Sequence, residues 1–346
     1  MDKYIQEINS RVLSNITVTE LKNKTVLITG ANGLIGSAVA DFLLYLNTEY
    51  SYNISIILTS LSKSPARIAH LLSESSITYI PKDLSLNIYE SFDIDIDYCF
   101  YCAGYAQPSK FLSDPHKTFF LNTIGVNNVF NDVYKNKHAK CIFLSSSEVY
   151  ALNETETSHN ESDNINISLQ HKRNPYIFGK IAGEMVVNNF IDQGYSGTSI
   201  RVSLCYGPGH LADDTRVMSD ISRNAMNEEH IVTLFDEGEA LRRYIHMSDF
   251  LVMLFNISLR GTQRVYNVGG EEEISIYNMA LHIGRFFKKT IQKGVTKNKV
   301  SVSAPNRVWV SMERYTQEFS KINFLPFKDG IKSYLQWFNK FNEEKK

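Results

Sequence analysis

Thr29-Gly30-Ala31-Asn32-Gly33-Leu34-Ile35-Gly36 follows the apolar run Thr25 to Ile28 and opens a helical pattern from Ile35 to Leu46. Strand, glycine turn and helix in that order form the setting in which G-x-x-G-x-x-G spacing predicts dinucleotide binding. Each glycine has its own task. Gly30 permits the tight turn off the strand, Gly33 lets the backbone approach a pyrophosphate, and Gly36 lets the helix pack close to the sheet. The helix N-terminus then offers its free N–H groups and positive dipole end to the phosphates. A plain strand-to-helix turn is the competing reading of the glycines alone.

A second constellation answers the first. Tyr176 and Lys180 stand one helical turn apart, so both side chains leave the same face. An ammonium near a phenol favours the phenolate, and the pair predicts a tyrosine lowered from about 10 toward the range of a general base. Ser145-Ser146-Ser147-Glu148 closes the apolar strand that would lie beside this helix, where a hydroxyl can bond the oxygen whose proton the tyrosine removes. Together with the glycine turn, in this chain order, the pattern predicts a nicotinamide-dependent enzyme.

Composition agrees. The chain has 346 residues, of which 43% are hydrophobic, enough for a substantial core. Lys plus Arg total 36 against 37 Asp plus Glu, net −1, so no one-signed field points to nucleic acid or an anionic membrane as a partner. No run approaches the ~20 apolar residues of a membrane span, and the N-terminus lacks a charged-then-apolar leader pattern. The expectation is a cytoplasmic protein, in which the N-x-S/T triplets at Asn15, Asn153 and Asn166 are not glycosylated. Cys99, Cys102, Cys141 and Cys205 are too scattered for a disulfide framework; Cys99 and Cys102 lie within an apolar strand and read as core thiols.

Along the chain, strands predicted at Thr25–Thr29, Ile54–Thr59, Ile77–Ile80, Tyr98–Cys102, Cys141–Ser145 and Ser199–Val202 alternate with helices at Ile35–Leu46, Pro115–Lys135 and Tyr176–Asp192. The alternation predicts an α/β fold, a Rossmann-type doubly wound parallel sheet. Residues 1–24 are expected to form a helical extension, with Ile5, Ile8, Val12, Leu13 and Ile16 on one face. Residues 25–206 are expected to form the dinucleotide-binding domain, and 207–346 mainly a smaller substrate lobe with some return to the first domain. The polar stretch Asn153–Asn174 predicts a substrate-side loop, and the charged tail from Asn339 a frayed end.

With these motifs the chain resembles the extended short-chain dehydrogenase/reductase family, the NAD-dependent epimerases and dehydratases. The resemblance is carried by TGANGLIG, Asp83, Ala103-Gly104, Asn122, SSSEVY (Ser145–Tyr150), PYIFGK (Pro175–Lys180) and RRYIHMSD (Arg242–Asp249). It implies a sugar-nucleotide substrate, NAD or NADP as cofactor, and a homodimer through a four-helix contact. It also implies catalytic roles for Ser146, Ser147, Glu148, Tyr176 and Lys180. A cofactor cradle of Gly30, Asn32, Gly33, Leu34, Ile35, Gly36, Ser60, Asp83, Leu84, Ala103, Gly104 and Asn122 follows, with Tyr176 and Lys180 reaching into it. Arg242 would clamp the diphosphate, a task suited to a planar guanidinium.

Within the family the chain looks most like the UDP-glucuronate decarboxylases, through AGYAQPSKFLSDPHKTFFLNTIG (Ala103–Gly125), Ser146-Ser147-Glu148, Arg173 and Arg216. On that resemblance Arg173 and Arg216 meet a substrate carboxylate. The 4,6-dehydratases, which also place a glutamate where Glu148 falls, and the 4-epimerases are the alternatives. A non-catalytic NAD(P)-binding regulator is the alternative of another class, against which intact Ser146, Tyr176 and Lys180 argue. The chain also departs from the pattern. Its second strand ends Leu58-Thr59-Ser60 without the acidic residue typical of NAD enzymes. Lys63 and Arg67 can neutralise a 2′-phosphate or serve as plain surface charges. Leu204 replaces a usual asparagine, and Gly209 replaces an arginine common in decarboxylases.

Other candidates read as structural. His210 and His246 are expected to be hydrogen-bonded framework residues. Asp93, Asp95 and Asp97 are expected to form a solvated edge with no metal. Phe119, Phe120 and Phe130 are expected to pack between helices, some of them in a subunit contact.

Overall fold

The computed structural model describes residues 2–150, 158–165, 167, 169–210, 214–227, 230–295 and 307–343. Helix α1 (Lys3–Asn15) comes first. Strands β1 (Thr25–Thr29), β2 (Ser55–Ser60), β3 (Ile77–Pro81), β4 (Tyr98–Tyr101), β5 (Lys140–Ser146) and β6 (Ser196–Val202) then alternate with α2 (Leu34–Tyr50), α3 (Pro108–Ser113), α4 (Pro115–Asn122), α5 (Ile124–Val133) and α6 (Asn174–Asp192). There follow β7 (Leu204–Tyr206), α7 (Val217–Asn227), β8 (Ile231–Thr233), β9 (Leu241–His246), α8 (Met247–Arg260) and β10 (Val265–Val268). The last elements are β11 (Glu273–Ser275), α9 (Ile276–Phe287), β12 (Thr290–Gln292), β13 (Arg307–Val308), α10 (Glu313–Glu318) and α11 (Phe327–Glu343).

Seven parallel strands form the main sheet in the order β10-β6-β5-β4-β1-β2-β3. Their alternation fills both faces, as a doubly covered parallel sheet requires. Val26, Ile28, Phe100, Ile142 and Leu144 pack on one side with Phe42 of α2 and Phe250 of α8. Leu27, Cys99, Tyr101, Cys141 and Phe143 pack on the other with Val129 and Phe130 of α5 and Val187 of α6. The strand order reverses between β1 and β4, which opens a crevice at their carboxyl ends, the usual ligand position in such sheets. A separate core of Met218, Met279, Ile283, Tyr334 and Phe338 lies between α7, α9 and α11, next to the small sheet in which β9 pairs with β7, β11 and β13.

Several expectations are corrected. The helix expected over Pro115–Lys135 is two, α4 and α5, broken at Thr123, whose hydroxyl bonds the Phe119 carbonyl. Gly125 then presses so close that a Cβ there would lie 2.4 Å from the Tyr101 hydroxyl. β4 stops at Tyr101, because the Cys102 amide turns back to the Phe100 carbonyl. The tail does not fray at Asn339: α11 runs to Glu343, with Phe341 stacked on Trp337 and Lys340 paired to Asp2. Asp97 is not a solvated edge residue, since it pairs with Lys24 and accepts the Thr25 amide; Asp93 and Asp95 are exposed. Asn153 and Asn166 lie outside the described residues. Of the expected polar loop, His159 bridges Val310 and the buried Glu161 accepts the Asn267 amide, so this part is pinned beside β10.

Helix α1 buries Ile8 and Val12. Asn9 reaches the Asp41 carbonyl on α2, and Arg11 pairs at 2.9 Å with Asp249 on α8. Among the described residues no helix is long and apolar enough to cross a membrane.

Candidate active site

The glycine turn is held where β1 and β2 end together. Thr29 sits opposite Thr59, and the Ala31 amide donates to the Thr59 carbonyl at 3.0 Å. Gly30 has φ +63°, and a Cβ on it would stand 2.7 Å from the backbone of Ala103. At Gly36 a Cβ would stand 2.5 Å from the Gly30 carbonyl, so here the helix packs against the turn itself. Gly33 is the N-cap of α2 and has no side chain to occupy the helix terminus, which leaves its first amides for a phosphate. Across the crevice, Gly104 lies beside Asn122 and Lys180, both 3.5 Å from where its Cβ would be. The buried Asn122 Oδ1 has no hydrogen-bond partner among the described residues, an acceptor that a bound molecule would satisfy. These features fit a dinucleotide.

At the rim, Ser60 Oγ bonds Tyr79 Oη at 2.7 Å. Asp83 is fixed by Lys117 at 2.7 Å and by the amide and hydroxyl of Ser85. Leu84 is buried.

Helix α6 carries Tyr176 and Lys180 onto β5. The Tyr176 ring, 5% exposed, stacks on Phe111 with centroids 4.9 Å apart and planes at 12°. Lys180 Nζ donates to the Leu144 carbonyl at 2.7 Å and lies 5.8 Å from the Tyr176 ring centroid. The expected lowering of the phenol is not found. Burial pushes Tyr176 well up and Glu148 adds to this, while Ser146, Arg173 and Arg216 pull the other way. The hydrogen bond that Lys180 makes goes to the Leu144 main-chain carbonyl, and its remaining donors are available to a bound molecule.

Burial also holds Lys180 down at about 7, from an ordinary 10.5. Between those values the unfolded chain keeps a proton that the folded protein has shed, so stability rises with pH over that window. Lys180→Met is expected to flatten the rise. Denaturation midpoints that climb equally with pH in parent and variant would contradict the assignment.

Two expected cations have carboxylates of their own. Arg173 forms a two-pronged pair with Glu148, Nε to Oε2 at 3.0 Å and Nη2 to Oε1, and its guanidinium lies 4.9 Å from the Phe111 centroid. Arg216 Nε meets both oxygens of the fully buried Asp214, at 3.0 and 3.1 Å. Burial would raise that carboxyl, but the Arg216 bonds hold it at about 2. Arg242, on β9, is buried, donates to the Leu241 carbonyl, and lies in the field of Arg173 and Glu148. Ser146 Oγ accepts the Glu148 amide at 3.2 Å, and Ser147 is buried beside it. His210 bonds Ser219, and His246 caps α8 through Ser248. Phe130 is buried between helices, whereas Phe119 and Phe120 are exposed.

Sequence reasoning missed a network beneath the site. Glu184, one turn beyond Lys180, accepts Ser145 Oγ at 2.5 Å and Arg201 Nε and Nη2 at 2.9 and 2.8 Å. The i, i+4 series Tyr176, Lys180, Glu184 and the charged Arg201 within an apolar strand were the available signals. Phe111 and Asp214 carried none.

The model of the NAD dependent epimerase/dehydratase family matches residues 26–269. UDP-glucuronic acid decarboxylase 1 of Xenopus tropicalis is 24% identical over 330 residues, covering 93% of this chain and 74% of that protein. The epimerase Mth375 of Methanothermobacter thermautotrophicus superposes with a TM-score of 0.81 at 20% identity, over 97% of this chain and 96% of the other. dTDP-glucose 4,6-dehydratase of Bacillus anthracis, solved with NAD, gives 0.74 at 21%, over 92% and 98%. The structural likenesses share the doubly wound fold.

Proposed function

We propose, for a chain that belongs to the NAD-dependent epimerase/dehydratase family, that it remodels the sugar of a sugar nucleotide by way of a transient 4-keto intermediate, and that the reaction is decarboxylation of a UDP-hexuronate. The carrying observation is the single cluster at the end of β5: Tyr176 and Lys180 beside Ser146, with Glu148 the carboxyl acting on the phenol. Tyr176 accepts the proton of the C4 hydroxyl, and Ser146 bonds the same oxygen. A phenolate forming beside Lys180 draws that lysine into its protonated form. When bound in the cradle from Gly30 to Gly36, Ser60, Asp83, Leu84, Ala103, Gly104 and Asn122, a nicotinamide supplies reversible hydride acceptance.

The inventory of acids favours decarboxylation. In a 4-keto hexuronate the C5–C6 bond breaks, its electron pair enters the enolate and carbon dioxide leaves without an acid at C6. The enolate then takes up a proton at C5, the hydride returns to C4, and Tyr176 gives its proton back to the C4 oxygen. Loss of a C6 hydroxyl needs both a base at C5 and an acid at C6, and Ser147 is a hydroxyl, far too weak an acid for the second task. One observation favours dehydration as a second reading: Arg173 is already paired with Glu148, the candidate C5 base, so a uronate must draw Arg173 toward itself. Arg216 and Arg242 complete the proposed substrate side. Sugar nucleotides offered in turn and analysed by mass spectrometry separate the two. Loss of carbon dioxide from a UDP-hexuronate is expected; a 4-keto-6-deoxy product from a neutral nucleotide hexose, with no uronate turned over, would contradict it.

The proposal includes a homodimer. Phe119 and Phe120 on α4 and Met185 on the adjacent α6 are exposed at 36%, 39% and 61%, an apolar surface suited to a second copy. Light scattering at micromolar concentration is expected to give twice the chain mass, and a monomeric mass would refute it.

A further inference from the structure

The ribose end of the cradle differs from the pattern common in NAD sites. NAD enzymes of this fold commonly place a carboxylate at the end of the second strand, where it accepts a bond from the ribose 2′-hydroxyl and repels a phosphate there. In this chain β2 ends at Ser60, and residues 54–73 contain no Asp or Glu. The register leaves no doubt about the location: Thr59 pairs with Thr29, and its carbonyl holds the first residue after Gly30.

What occupies the rim is basic and hydroxylic. Arg67 is pinned to the glycine turn at Asn32, with its backbone amide on Asn32 Oδ1 at 3.0 Å and its guanidinium Nη1 on the Asn32 carbonyl at 3.1 Å. The guanidinium is therefore tied to Asn32, within the turn between Gly30 and Gly33. Ser60 and Ser62 line the approach through Tyr79, whose hydroxyl meets both Ser60 Oγ and the Ser62 carbonyl. Lys63 is exposed on the same segment. The nearby carboxylates are engaged: Asp83 by Lys117, and Asp41 by His70.

We propose that this chain takes the 2′-phosphorylated dinucleotide, NADP(H), in preference to NAD(H), with Arg67 meeting the 2′-phosphate from the glycine turn, the Ser60 and Ser62 hydroxyls donating to it, and Lys63 adding charge. A guanidinium suits a phosphate monoester through paired N–H donors, and the missing carboxylate removes the repulsion that would exclude it. The inference rests on the dinucleotide reading of the cradle and is independent of which sugar reaction follows.

Calorimetric titration of dinucleotide-free protein with NADP+ and NAD+, in the absence of any sugar nucleotide, tests it. A charge-assisted bond contributes about 1.5–3 kcal/mol, so NADP+ is expected to bind about 10- to 100-fold more tightly than NAD+. Arg67→Ala should collapse that ratio toward one. Should the variant fail to fold through loss of its Asn32 bond, Ser60→Asp provides an independent arm and is expected to invert the preference. NAD+ binding as tightly as NADP+, or more so, in the unaltered protein would overturn the proposal, as would a Ser60→Asp protein that kept its preference for NADP+. Binding of neither dinucleotide would overturn the cofactor reading itself, an outcome distinct from a reversed preference.

Discussion

Tyr176→Phe is expected to lower turnover by about 10²-fold or more, the usual contribution of a positioned acid/base, while leaving the fold and dinucleotide affinity in place. The ring is what the structure uses: it is stacked on Phe111 and buried in a cluster with Ile177, and phenylalanine preserves that contact. The hydroxyl is what the proposed chemistry uses, as the titratable atom near Ser146 and Glu148. Steady-state kinetics with a denaturation curve on the same preparation separates the two contributions. A Phe variant that retained most of its turnover would remove Tyr176 from the role of base.

Glu184→Ala is expected to be the most damaging substitution to stability. The carboxylate is buried between β5 and α6 and gathers Ser145 and both prongs of Arg201, which is 6% exposed. Removing it leaves a buried guanidinium with neutral partners only, the Tyr150 hydroxyl and the Glu161 carbonyl. Breaking a buried pair in this way costs about 3–5 kcal/mol, whereas replacing both partners by apolar groups of similar volume is far milder. Chemical denaturation of Glu184→Ala, and of Glu184→Leu combined with Arg201→Met, should show a large loss in the first and substantial recovery in the second. A loss below about 1 kcal/mol in the single variant would mean the pair does not hold α6 on β6. Because α6 carries Tyr176 and Lys180, the network also positions the face proposed to be catalytic.

What was legible in the sequence was local. Glycine spacing after an apolar strand located the turn, and strand–helix alternation gave the doubly wound sheet, because both are set by backbone conformation and periodicity within a few residues. The Tyr176, Lys180 and Ser146 grouping was legible because strand and helix follow one another in chain order. What was not legible depends on partners distant in sequence. Arg173 could be read as a free cation only until Glu148, 25 positions earlier, was found in its fork. That Lys180 also donates to the Leu144 carbonyl, 36 positions earlier, could not be read from its spacing to Tyr176. The break at Thr123 follows from how closely Gly125 approaches Tyr101 on β4, a contact that periodicity does not register. The end of α11 was misjudged because charge alone suggested fraying, whereas Trp337, Phe338 and Phe341 supply its buried and stacked face.

The central claim, that the sugar is oxidised at C4 and restored within one catalytic cycle, is tested most directly with a sugar nucleotide carrying deuterium at C4. The account predicts that the deuterium is recovered in the sugar product, with Tyr176→Phe lowering turnover and transfer together. Deuterium found instead in a released reduced dinucleotide or in the solvent, with the sugar product unlabelled, would contradict it.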